Sequence, residues 1–131
     1  MKQNIMLTIT SLLSLLLLTF HLTDDIVRGM EPGGLSNLIM GVLISVVWLY
    51  GTLVLAGRRS GYIIILLLSL FSLVVPYIHM SGKGVGVTSR LANTSGHFFF
   101  VWTLIALGVT ALFSVILSAR GLWSLRRAQS R

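Results

Sequence analysis

Four stretches of the chain are apolar almost without interruption, and short polar segments separate them. The first runs from Ile5 to Leu22, the second from Leu35 to Ala56, the third from Gly61 to Ile78 and the fourth from Phe98 to Ala119. At 1.5 Å per residue each is long enough to cross about 30 Å of hydrocarbon. No water is available there to bond the backbone, so each stretch must close its own hydrogen bonds as a helix. The pattern predicts an all-α fold, an integral membrane antiparallel four-helix bundle of four transmembrane helices that forms one domain over residues 1–131. The expected helices are about 5–23, 35–56, 61–79 and 97–119. Loops 24–34 and 80–96 then fall on one side, and loop 57–60 with the tail 120–131 on the other.

The connectors carry turn chemistry. Glu31-Pro32-Gly33-Gly34 is a turn signal. In the tight link Gly57-Arg58-Arg59-Ser60, Gly57 suits the residue just past a helix and Ser60 the N-cap of the next. The Gly-rich segment from Ser81 to Gly96 lacks a GxxxxGK[ST] pattern and a preceding strand, so it reads as a surface loop. Met1 and Lys2 before a Leu-rich run also have the shape of a secretory signal. The length of the run, and the absence of a small-x-small site around His21 to Asp25, favour a retained span.

Composition agrees with this picture and narrows it. The chain has 131 residues, 55% of them hydrophobic and 10% charged, which is the balance of a membrane protein. Four spans use most of that length and leave no room for a soluble catalytic domain. With no cysteine, disulfides, thiolate metal sites, Fe–S clusters and Cys-pair redox chemistry are excluded.

The formal charge is +7, but the basic residues cluster at span edges, where they meet lipid headgroups, so no nucleic-acid partner is expected. Lys2, Arg58, Arg59, Arg120, Arg126, Arg127 and Arg131 fall on one side, against Arg28, Lys83 and Arg90 on the other. The richer side is expected in the cytoplasm, which places the chain in the plasma (inner) membrane, multi-pass, with both termini cytoplasmic. Trp123 and Tyr62 then suit the inner interface and Tyr77 the outer one.

No ionisable residue lies in the middle of a span, which argues against a proton-driven transporter. The candidate chemistry sits at the outer edge. His21, His79 and His97, the three histidines of the chain, all map to outer helix ends. Asp24 and Asp25 follow His21 at i+3 and i+4, on the same helix face. His21, Asp24, Asp25, His79 and His97 could converge as ligands of a divalent metal. Alternatively, His21, His79 and His97 could ligate haem, or the group could act as an acid–base pair. The plainer reading is a polar helix end. Two carboxylates at a helix C-terminus oppose its dipole, and Arg28, at i+4 from Asp24, offsets them locally.

Pro76 removes the hydrogen bond to the Ser72 carbonyl one turn before His79 and could turn that histidine inward. Ala106, Thr110, Ser114 and Ser118 form an i+4 stripe of small residues, suited to close helix packing, and Leu117 is expected off it. The same stripe is a candidate contact for a homo-oligomer or a larger membrane complex. Phe98, Phe99, Phe100 and Trp102 suit an interfacial belt or the edge of a haem or quinone site. The basic tail from Arg126 to Arg131 is a topology anchor, with anionic-lipid binding as its alternative.

Three functions remain open on the sequence. The expected one is a non-enzymatic accessory or assembly subunit of a membrane complex. The alternative is an outer-face metal- or haem-binding protein with redox or hydrolytic activity. A small pore or transporter lined by Ser and Thr is the weaker third.

Overall fold

The structure, a computed structural model, describes residues 2–30, 33–81 and 96–130. It is all-helical. Helix α1 spans Lys2–Val27, α2 spans Leu35–Leu49, α3 spans Arg59–Met80 and α4 spans His97–Gln129. All four are long and apolar enough to cross a membrane, α2 together with the π-helical turn Tyr50–Val54 that continues it. Most of the loop expected at 80–96, with Lys83 and Arg90, lies outside the described residues, as do Glu31 and Pro32.

Helix α4 packs against both α1 and α3, and α2 is peripheral. The three central helices share one pattern. The inward row is Leu7, Ser11, Ser14, His21 and Asp25 on α1, with Leu15 buried beside it, and Tyr62, Ile65, Ser69 and Ser72 on α3. On α4 Phe100, Leu104, Leu107, Ala111, Ser114, Ser118 and Gly121 form the inward row, with Thr103 and Leu117 buried beside it. The α4 positions alternate steps of four and three, and the other two helices follow the same seven-residue beat. That is the register of left-handed, knobs-into-holes packing.

Serine fills much of the seam, while Leu16, Leu67, Phe71, Leu112 and Phe113 point outward. Hydrocarbon offers no hydrophobic drive between helices, so close approach over small side chains supplies the packing energy. Several hydroxyls bond back to their own helix. Ser14 donates to the Thr10 carbonyl at 2.9 Å and Ser118 to the Ser114 carbonyl at 2.6 Å.

This register corrects the predicted stripe. Ser114 and Ser118 are buried, but Ala106 and Thr110 are only half-buried. Leu117, expected off the contact, packs inside with Leu7, Tyr62 and Ile65. An i+4 row winds away from a straight partner, whereas alternating steps of three and four keep facing it.

Peripheral α2 is tied in by a polar chain. Trp48 is fully buried and donates its indole N–H to Ser11 Oγ at 2.8 Å. Ser11 Oγ in turn lies 2.8 Å from Thr52 Oγ1. A buried indole N–H needs a partner, so this chain fixes α2 against α1.

Gly57 ends the hairpin at φ 77°, where glycine carries no Cβ penalty. Arg58 rather than Ser60 is the N-cap of α3, which begins two residues earlier than the serine signal implied. Tyr62 is not a lipid-facing interface ring either. It is buried and donates to Asn4 Oδ1 at 2.6 Å. Gly121 makes room for it, since a Cβ there would stand 2.6 Å from ring atoms Cδ1 and Cζ.

Helix α4 continues through the segment expected as a tail. Its 33 residues measure about 50 Å, some 20 Å more than the hydrocarbon core. Polarity rises after Ala119, but Leu122, Leu125 and Ala128 are sound helix formers, so the backbone stays helical.

Candidate metal centre

At one end of the bundle α1, α3 and α4 bring His21, Asp25, His79 and Phe100 together. His21 and Asp25 lie one helical turn apart on the seam of α1, at 2% and 3% exposure. One turn further on, the helix is stopped. Gly29 takes φ 69°, the Met30 N–H bonds the Asp25 carbonyl at 2.9 Å and the Gly29 N–H bonds the Ile26 carbonyl at 3.0 Å. This paired C-terminal closure needs a left-handed residue, which glycine supplies. Met30 is thereby folded back onto Phe100 and Leu104. His79 comes from the last turn of α3, beyond Pro76, with only 11% of its side chain exposed.

Asp25 Oδ2 is the common point. It lies 3.6 Å from His21 Nε2 and 3.9 Å from His79 Nε2. One ligand atom from each of the three residues lies within 4.8 Å of the others. These separations are long for hydrogen bonds. Bonds of about 2.0–2.2 Å put tetrahedral ligands about 3.3–3.6 Å apart, so the His21–Asp25 separation already matches and His79 would have to draw in by a few tenths of an ångström or more to share one ion. Neither nitrogen of the buried His21 ring has a hydrogen-bond partner among the described residues. An unsatisfied buried donor or acceptor costs about 1–3 kcal/mol, so a coordinating cation would relieve it.

Phe100 is fully buried and closes the cluster from α4. Its ring centroid is 5.1 Å from that of His21 and 5.8 Å from that of His79, and the two imidazoles sit edge-to-face at 4.7 Å. The three rings pack against one another. Phe100 thus covers the two imidazoles from the α4 side.

Two of the residues named from sequence stand apart. Asp24 turns away and accepts the Arg28 Nε–H at 2.8 Å, the local pair that also offsets the helix dipole. The Arg28 guanidinium lies against Gly96 and so bridges the end of α1 to the start of α4. His97 opens α4 three residues before Phe100, outside the His21–Asp25–His79 group, with its Nδ1 buried.

Asp24→Asn and His97→Ala are therefore expected to leave metal affinity within a few-fold of the parent chain in a chelator-competition titration. A loss at either position as large as that from His79→Ala would show that the ligand set is drawn too narrowly.

Sequence reasoning did not find Phe100 as a member of the cluster, nor the Trp48–Ser11–Thr52 chain. A tryptophan deep in a span, whose N–H must be satisfied within the protein, was the available signal for the second. Comparison of the chain with protein-family models, curated proteins and solved structures finds no match.

Proposed function

We propose that this chain is a membrane protein that holds one divalent first-row transition-metal ion through His21, Asp25 and His79, and that it serves as a non-enzymatic accessory subunit. The observation that supports metal binding is the shared Asp25 Oδ2, 3.6 and 3.9 Å from two imidazole nitrogens in a buried pocket. Two histidines and a carboxylate are donors that zinc shares with iron(II).

Burial favours the accessory role. Catalytic metal sites keep a position open to substrate, whereas His21 and Asp25 are almost closed to solvent and Phe100 covers them. Packing also weighs against a pore. Serines lining a water-filled path would be solvent-accessible, yet Ser11, Ser14, Ser69, Ser72, Ser114 and Ser118 are all at 0% exposure. Assembly with a partner subunit draws support from α2, where Leu38, Met40, Val42, Leu43 and Val46 present a broad apolar face. Lipid is the default cover for such a face, and a partner helix would use the same surface.

The excess of Lys and Arg at the Arg58–Arg59 end supports a cytoplasmic placement for that end and for both termini, in a plasma (inner) membrane, with the metal site towards the outer face. A cytoplasm-restricted reporter fused after Arg131 should be active, and the same reporter inserted near Arg90 should be silent. The reverse pattern would overturn the orientation without touching the metal site.

The functional test is metal content. Detergent-purified protein exposed to zinc or iron(II) and then desalted should retain about one ion per chain by elemental analysis. The double variant His21→Ala/His79→Ala should retain none while keeping its helical circular dichroism. Equal retention by both proteins, or none by the parent, would refute metal binding by this cluster.

A further inference from the structure

At the opposite end of the molecule, a groove of about 600 Å³ runs between α3 and the last turns of α4. Its lining changes character along its length. Leu66 of α3 faces it, and along α4 the lining passes from Ala119 through Leu122 and Trp123 to Arg126, Arg127 and Ser130. The order is hydrocarbon, then interface, then cation, which is the order of groups along a phospholipid. Trp123 is largely exposed, and the Arg127 guanidinium sits 4.8 Å from its ring centroid, which holds that cation beside the groove.

The charge at this end has no internal counterpart. Asp24, Asp25 and Glu31 are the acidic residues of the chain, and all belong to the end of α1 and the loop after it. Arg58, Arg59, Arg120, Arg126 and Arg127 gather where no acidic side chain is found among the described residues. The length of α4 supplies the reach, because 33 residues exceed what the hydrocarbon core needs and Arg126 and Arg127 lie in its last two turns.

We propose that this groove binds one anionic phospholipid, with an acyl chain along Leu66, Ala119 and Leu122, the glycerol region at Trp123 and the headgroup phosphate on Arg126 and Arg127. Guanidinium groups suit a phosphate better than ammonium groups would, because their planar donors match its oxygens. A zwitterionic lipid offers the same phosphate but adds a headgroup cation that the arginines repel. The site is independent of the metal cluster, since the two lie at opposite ends of the bundle.

Native mass spectrometry of the full chain, released from detergent supplemented with phosphatidylglycerol or with phosphatidylcholine of identical acyl chains, tests this. One phosphatidylglycerol per chain should survive, with phosphatidylcholine held at least tenfold more weakly. Arg126→Gln/Arg127→Gln should lower phosphatidylglycerol affinity roughly tenfold to thirtyfold, from the attraction of two arginines for an anionic surface. Arg58→Gln/Arg59→Gln, which removes equal charge outside the groove, should change it little, and Trp123→Ala gives a second, charge-neutral loss. Equal retention of the two lipids, or equal losses from the two arginine pairs, would overturn the site. Displacement of the lipid by millimolar inorganic phosphate would overturn it too, by showing a free-anion site.

Discussion

Asp25→Asn is expected to lower metal affinity by roughly 10²–10³-fold, the share of one ligand in a site of this kind. Asparagine matches aspartate in shape, so the seam between α1, α3 and α4 should survive the change. What is lost is the negative charge at the one atom that faces both imidazoles, 3.6 and 3.9 Å away. In a site this far from water that charge is the main offset to a dication, and a neutral amide oxygen coordinates more weakly. The control is one residue away. Asp24→Asn removes the same charge from the same turn but touches only the pair with Arg28. A titration against a chromophoric chelator separates them, and equal losses for the two variants would mean a diffuse electrostatic effect rather than ligation.

The largest structural effect is expected from Gly61→Ala. A Cβ at Gly61 would collide with the Leu55 carbonyl oxygen and stand 2.9 Å from the Gly51 carbonyl oxygen. Both are main-chain atoms in or beside the π-helical turn, so no rotamer change relieves the contact and the start of α3 must lift away. Overpacking of this kind costs about 1–3 kcal/mol. Thermal unfolding in detergent should show a lowered midpoint. Gly108→Ala is the matched control, because its Cβ would sit 3.5 Å from Pro76 Cγ, an ordinary contact. There alanine's better helix propensity should leave stability unchanged or slightly raised. If the two variants melt alike, α2 and α3 do not meet backbone to backbone at Gly61.

Much of the architecture was legible because hydrocarbon enforces it. A run such as Leu35 to Ala56 has no alternative to a helix, and its length sets the span. Azimuth was harder. His21, Asp24 and Asp25 share a face to within about a turn, yet α4 packs where it buries Asp25 and leaves Asp24 at the rim with Arg28. The two carboxylates differ by only about 100° around α1, and sequence spacing alone does not say where the neighbouring helix lies. His79, like His97, is expected at the site from its place at an outer helix end, and the structure puts its ring against His21. His97 was named on its level in the membrane, but the inward path of α4 runs through Phe100 instead.

The small-residue stripe faces inward at Ser114 and Ser118 and drifts off at Ala106 and Thr110 for a related reason. Four-residue steps describe a row on one helix, and a seam among three supercoiled helices follows a period of 3.5. Leu117 therefore went to the core and Ala106 to the margin. The end of α4 was misplaced because hydropathy marks where a span stops, and helix propensity, which marks where the backbone stops, continues through Gln129.

X-ray absorption at the zinc edge, on detergent-purified protein loaded with one equivalent of zinc, tests the His21–Asp25–His79 site most directly. The first shell should contain only nitrogen and oxygen at about 2.0–2.1 Å, with the outer-shell scattering of two imidazoles, and His79→Ala should reduce that to one. A shell of oxygens without imidazole scattering, or a spectrum indifferent to His79→Ala, would contradict metal ligation by this cluster.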